Sequence, residues 1–331
     1  MKVLLCTHFG EPEELKLTEL PVPIPSEGQI RIGVKACSVN FPDVLMLENK
    51  YQRKPPMPFA PGMEVSGLVT ALGPGVTAFK IGDRVASFIS YGGMAEEALA
   101  PVGRTLHMPE GLDFEMAAAF TLAYATSYHA LKDRADLKPG ETLVVLGAAG
   151  GVGLAAVEIG AVMGARVIAG VSSEDKLALA KAHGAHDGFL YPPLPLSNDQ
   201  QKELSDKIKA ITGGGANVLY DPIGDAYAEP CFRAMAKFGR YLVVGFAAGQ
   251  IPKLPLNLTL LKSADIRGVN WNALVESDPE ASRRDLIQLA RWIADGSLKT
   301  HIGARFPLER GIEALRMVKD RRAMGKIVVT V

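Results

Sequence analysis

The chain is short of several things, and each shortage closes off a class of protein. Only three cysteines occur in 331 residues, Cys6, Cys37 and Cys231, and no two of them form a C-x-x-C. That supports neither a disulfide framework nor a structural zinc lobe. There is no excess of charge, because 36 Lys and Arg balance 36 Asp and Glu. Broad electrostatic capture of nucleic acid or of an anionic membrane is therefore not expected. No apolar run is long enough to span a bilayer. The opening "MKVLLCTHFG" has too short an apolar stretch for a signal-peptide core. A cytoplasmic, reducing setting is the expectation.

What is present is 48% hydrophobic content, enough for sizeable cores, and a length that favours two domains. The first third is rich in glycine and proline, with short β-prone runs. "QIRIGVKACSV" (29–39) alternates as a strand does, and "EVSGLVTALG" and "DRVASFI" continue the pattern. The spacing then predicts one long helix over "EMAAAFTLAYATSYHALK". Beyond it, uncharged apolar strands alternate with helices such as "SEDKLALAKAHGA" and "AEPCFRAMAKF", which implies a parallel sheet covered on both faces. "PPLPLSN" (192–198) reads as a surface loop. A closing strand, "GKIVVTV", is expected to return to the first domain. The boundaries read as 1–121, then 122–263, then 264–331 for the sixth strand and the return.

The strongest local signal is "VVLGAAGGVG". An apolar strand runs into glycines that open a helix, the context a dinucleotide motif requires. Gly150 and Gly151 let the backbone approach a pyrophosphate, with the amide of Val152 beside them, and Gly153 permits close helix–strand contact. The helix N-terminus favours the anion. Ala148 stands where the strict G-x-G-x-x-G has its first glycine. The next strand ends "AGVSSEDK". An NAD site usually places an acid there, on the ribose hydroxyls. Here Val171 takes that place and Ser172 and Ser173 follow, leaving room and donors for a 2′-phosphate. Lys176, one turn into the helix, adds positive charge, or else lies on a solvated helix face. The expected cofactor is NADPH.

Together "VKACSVNFPD", "PGMEVSG", "GDRV", "GGMAE", "TLAYATSYHAL", "GAAGGVG" and "GKIV" resemble the medium-chain dehydrogenase/reductase superfamily. Within it the chain is most similar to the zinc-free quinone oxidoreductases related to zeta-crystallin. The resemblance spans nearly the whole chain in order. It implies an α/β fold, a GroES-like β-rich catalytic domain plus a Rossmann doubly wound parallel-sheet cofactor domain. Zinc alcohol dehydrogenases of the superfamily read V-C-H-x-D where this chain has Val39-Asn40-Phe41-Pro42-Asp43, and G-H-E where it has Gly62-Met63-Glu64. The third ligand position falls near Leu122. Asn, Met and Leu cannot form a catalytic zinc site, so no metal is expected and Glu64 reads as a structural carboxylate.

Without zinc to polarise an alcohol, the implied acceptors are already electrophilic: a quinone or similar α,β-unsaturated carbonyl small molecule. The resemblance implies catalytic roles for Asn40, whose amide faces the acceptor, for Tyr51, and for Thr126 beside the nicotinamide. Asn40 as a strand-end cap and Thr126 as a helix residue bonding its own turn stay open. Where the family has R-x-G-x-Y, this chain has Glu48-Asn49-Lys50-Tyr51. Tyr191 resembles a residue at the adenosine phosphate, with plain packing as the other reading. Gly245, Phe246 and Val269 are implied to line the nicotinamide crevice. Trp271 is either a pocket wall or core. His183 and His186 read as a solvated helix end, and Lys326 as part of a basic turn that could approach the cofactor. The sixth strand, "ADIRGVNW", is implied to pair with a second subunit as a homodimer. Two alternatives stay beside the leading function. One is a 2-enal, 2-enone or enoyl-thioester reductase. The other is an NADPH-binding structural, crystallin-like protein without turnover.

Overall fold

A computed structural model describes all 331 residues. The chain divides into two compact units. One comprises Met1–Ala123, Leu286–Gly296 and Thr300–Val331. The other comprises Tyr124–Asp285 and Ser297–Lys299.

In the first unit β1 (Lys2–Leu5) and β2 (Lys16–Glu19) form an antiparallel ribbon. The unit's main sheet is built on β3 (Gln29–Val39), where alternation sends Ile30, Ile32, Val34 and Ala36 to the buried face. β4 (Glu64–Leu72) pairs antiparallel with β3, and β5 (Arg84–Phe88) with β4. β6 (Glu97–Pro101) adds to β3 and β7 (Thr105–His107) to β5.

The second unit is a six-stranded parallel sheet. Its strands are β8 (Thr142–Leu146), β9 (Arg166–Val171), β10 (Asp187–Leu190), β11 (Ala216–Asp221), β12 (Met235–Val243) and β13 (Asp265–Gly268). The spatial order is β10-β9-β8-β11-β12-β13. The order reverses between β8 and β11, where doubly wound sheets open a ligand crevice at their carboxyl ends. Val144, Leu146, Ile168 and Leu219 are fully buried among the helices, which is why these strands carry no polar face.

The chain then returns to the first unit. β14 (Ile302–Pro307) pairs parallel with β15 (Lys326–Thr330), and β15 lies antiparallel to β3. The completed sheet runs β14-β15-β3-β4-β5-β7. The helix Phe114–Phe120 packs Ala118 and Ala119 on Ala36 and Val328.

Two helices differ from expectation. The long alanine-rich helix is broken into Phe114–Phe120 and Ala123–His129, then a π turn, Ala130–Arg134. At the break the Leu122 N–H donates to a Glu64 carboxylate oxygen at 2.8 Å, so an acid on β4 takes a helical donor out of the helix. The helix over "AEPCFRAMAKF" stops at Arg233, because Met235 is claimed by β12 and pairs with Ala216. The Ala-Met-Ala spacing of that segment suits either element.

Candidate functional site

The glycine loop closes β8 and leads into the helix Gly151–Val162. Gly147 makes the tight turn, with φ of +58°, in the left-handed region that glycine tolerates. The turn glycine thus lies one residue before Ala148, which is itself buried. This explains why the strict sequence pattern is broken while the geometry survives. A Cβ on Gly153 would sit 2.1 Å from the Gly147 carbonyl oxygen, so only glycine lets helix and strand approach this closely. Gly150, Gly151, Val152 and Gly153 occupy the helix cap and first turn, whose N–H groups lack intrahelical partners. This cradle fits a pyrophosphate.

All six strands point the same way, so the other expected cofactor residues line the same edge. At the end of β9, Ser172 is exposed and its hydroxyl accepts from the Lys176 ammonium at 3.1 Å. Ser173 caps the helix Glu174–Ala182, accepting from the Lys176 N–H. Burial lowers the Lys176 pKa. The Lys176 ammonium reaches back to the strand end through its bond to Ser172. Val171 is buried and presents no acid. After β10, Tyr191 stands against Tyr227, with ring centroids 4.9 Å apart, and packs on the unit's core. Gly245 and Phe246 follow β12, with Phe246 partly exposed. The Val269 N–H extends the ladder by bonding the Val243 carbonyl. Trp271 begins a helix and is buried.

Thr126 is partly exposed on Ala123–His129. Its neighbour Ser127 ties that helix to the glycine loop. The Ser127 hydroxyl donates to the Val152 carbonyl at 2.9 Å and shares a hydrogen bond with the Tyr220 hydroxyl at 2.9 Å. Nothing in the local sequence signalled this contact. Sequence reasoning also missed Glu158, buried on the helix that the glycine loop opens. One Glu158 oxygen faces the His183 ring, and the other accepts from the Tyr124 hydroxyl at 2.9 Å. The expectation of a solvated helix end holds for the exposed His186 and is corrected for His183, which caps the helix with its ring largely buried. His183 is held by Glu158, and His186 accepts from the Val167 N–H through its ring nitrogen. A glutamate on the apolar face of a helix was the visible signal.

In the first unit Asn40 and Tyr51 flank one short helix, Phe41–Leu47. The Tyr51 N–H bonds the Leu45 carbonyl, and its side chain is partly exposed. Asn40 lies in a buried polar knot. Asp43 accepts from the N–H groups of Asn40 and Gly62, at 2.8 Å each. Burial raises the Asp43 carboxyl to about 7, against the pull of those two donors. Glu64, fully buried, takes the Lys326 ammonium at 2.9 Å, the Asn40 amide at 2.9 Å, the Thr121 hydroxyl at 2.7 Å and the Leu122 N–H. Lys326 is therefore buried within the first unit and does not lie in a solvated turn. At the three positions where zinc relatives hold the metal stand Asn40, Met63 and Leu122, with Asn40 spoken for by Lys326 and Glu64.

Residues 26–110 match the family described as Alcohol dehydrogenase GroES-like domain, and residues 151–294 the family described as Zinc-binding dehydrogenase. The chain is 36% identical to the quinone oxidoreductase-like protein 2 homolog of Nematostella vectensis, over 99% of this chain and 88% of that one. It is 35% identical to the quinone oxidoreductase of Homo sapiens, over 99% and 97%. The chain belongs to the quinone oxidoreductase branch of the medium-chain dehydrogenase/reductase superfamily. The fold agrees. The Escherichia coli quinone oxidoreductase solved with NADPH superposes with a TM-score of 0.91 at 26% identity, covering the whole of both chains. The first unit is the GroES-like domain of this branch and the second its Rossmann cofactor domain.

Proposed function

We propose that the protein is an NADPH-dependent quinone oxidoreductase that works without zinc. The observation that carries the reading is the end of β9. A buried Val171 stands in place of an acid, and a lysine–serine pair offers donors where a 2′-phosphate needs them. NADPH, when bound, supplies the hydride. The acceptor takes it with its electron pair, and a proton from Tyr51 or from solvent completes the hydroquinone. The chain's task is to hold the cofactor in the glycine cradle and to keep Thr126 and Phe246 in place. It must also present a donor to the acceptor oxygen.

Asn40 is that donor in this reading. Its Oδ1 accepts from Lys326 and one Nδ2 hydrogen goes to Glu64. The second has only a long contact, 3.4 Å, to the Ser38 carbonyl. Independence from zinc rests on the donor chemistry of Asn40, Met63 and Leu122, which offer no imidazole or thiolate.

A homodimer through β13 belongs to the same reading. β13 is an outer strand with an open edge, Ile266 on it is exposed, and Leu260 and Leu261 are exposed on the preceding helix. A reducing compartment completes it, supported by three buried free cysteines.

The test is steady-state oxidation of NADPH and NADH against a panel of quinones and enones. Metal content is measured on the same preparation, and mass by sedimentation. Stoichiometric zinc in active protein, or tighter binding of NADH than of NADPH, would refute the reading. Tight NADPH binding with no acceptor reduced would favour the non-enzymatic alternative.

A further inference from the structure

Three neighbouring strands bring three polar side chains to one end of the first unit's sheet. Ile327 pairs with Val39, so Lys326 lies across from Asn40, and Ser38 pairs with Glu64 on the other side. Asn40 thus sits between a cation and an anion, and Lys326, Asn40 and Glu64 are all buried. An ammonium can only donate and a carboxylate can only accept. The two neighbours therefore dictate which way the Asn40 carboxamide faces. Its oxygen must meet Lys326, at 2.5 Å, and its nitrogen must meet Glu64, at 2.9 Å. Reversing the amide would set N–H against ammonium and carbonyl against carboxylate, two repulsive contacts in a dry interior.

The geometry points to Lys326 as the positioning residue for the Asn40 carboxamide. This rests on the reading of Asn40 as donor to the acceptor oxygen. Lys326 acts in two ways. It locks the amide so that the weakly engaged second Nδ2 hydrogen always faces the same direction. It also draws electron density toward Oδ1, and a hydrogen bond accepted at an amide oxygen strengthens the donation from its nitrogen. The acceptor gains negative charge on its oxygen as hydride arrives, so the strengthened donor matters most in the transition state. Lys326 never touches the acceptor. Its second bond, to Glu64, keeps the buried cation neutralised.

Removing Lys326 alone would strand a buried carboxylate and endanger folding, so the informative variant neutralises the pair together. Lys326→Met with Glu64→Gln keeps groups that can bond Thr121 and Leu122. Asn40→Ala, this pair, and the combination of all three are compared for kcat and KM toward a quinone at saturating NADPH. Each preparation is checked by NADPH affinity and thermal midpoint. We expect Asn40→Ala to lower kcat about tenfold or more, and the neutralised pair to do the same, with NADPH affinity and quinone KM unchanged. The triple variant is expected to be no slower than Asn40→Ala, because Lys326 acts only through that amide. If the neutralised pair keeps full kcat, or if its loss multiplies with that of Asn40→Ala, the role of Lys326 falls and that of Asn40 stands. If Asn40→Ala itself keeps full kcat, the donor role of Asn40 falls and takes this one with it.

Discussion

Gly153→Ala tests whether the cofactor cradle depends on the closeness of helix and strand. Two effects oppose each other. Alanine is the better helix former by about 1 kcal/mol, and Gly153 lies inside the helix Gly151–Val162. Against that, the new methyl would lie 2.1 Å from the Gly147 carbonyl oxygen and 2.8 Å from its carbon. Both are backbone atoms and cannot swing away. A carbon–oxygen contact needs more than 3 Å, so the helix start must withdraw by roughly 1 Å, at an overpacking cost of about 1–3 kcal/mol. The clash outweighs the propensity gain by up to about 2 kcal/mol, a fall in melting midpoint of up to about 8 °C for a domain of this size. The same withdrawal lifts the first-turn N–H groups from the pyrophosphate, and NADPH affinity drops at least about tenfold. Gly150→Ala is the control. Its φ is −82° and its methyl would meet only the Gly147 oxygen, at 3.4 Å, so the stability of the apo protein should be nearly unchanged. Differential scanning of the apo protein and a fluorescence titration with NADPH measure both quantities. Equal midpoints and affinities for Gly153→Ala and the parent would show that the cradle tolerates a wider helix–strand gap.

Other consequences are open to test. Lys176→Ala should weaken NADPH at least about tenfold, the loss of one charge-assisted hydrogen bond, while leaving NADH untouched; equal losses for both would place Lys176 outside the phosphate site. Ser127→Ala should cost about 1–3 kcal/mol by leaving the buried Tyr220 hydroxyl without its Ser127 partner, and adding Tyr220→Phe should recover part of it; a fully additive double variant in chemical denaturation would break that link. Burial holds the Asp43 pKa near 7, above its ordinary 3.8, so the folded state keeps the proton more readily than the unfolded one. Stability contributed at Asp43 is therefore present at low pH and is lost as pH rises from about 4 to about 7. The midpoint advantage of the parent over Asp43→Asn should shrink across that window, and a constant difference would contradict the assignment.

Much of this architecture was readable in the residues, for physical reasons that differ by element. β3 alternates as far as Ala36 because one face is buried there, and β8 is an uncharged run because both its faces are buried. The glycine loop was legible because left-handed backbone and helix contact at Gly147 and Gly153 leave few other residues possible. What stayed hidden were partnerships across long separations. The helix break at Thr121 and Leu122 is caused by Glu64, an acid on another element, so local spacing could only suggest one continuous helix. Lys326 looked like part of a solvated basic turn, because nothing nearby in the sequence shows that Glu64 and Asn40 await it. His183 looked like a surface cap for the same reason, its partner Glu158 lying 25 residues earlier.

That long-range dependence has a cost during synthesis. Asn40 and the lysine that meets it lie 286 residues apart. At ribosomal rates of about 5–20 residues per second, that interval takes on the order of 15–60 s. Throughout it Glu64 has no Lys326 to neutralise it, and β3 has no β15 to cover its flank. The second unit can finish its sheet from contiguous chain in the meantime, whereas the first must wait, half assembled, for a strand that arrives among the last. A nascent chain stalled before Lys326 should accordingly be a client for chaperones that shield open strand edges.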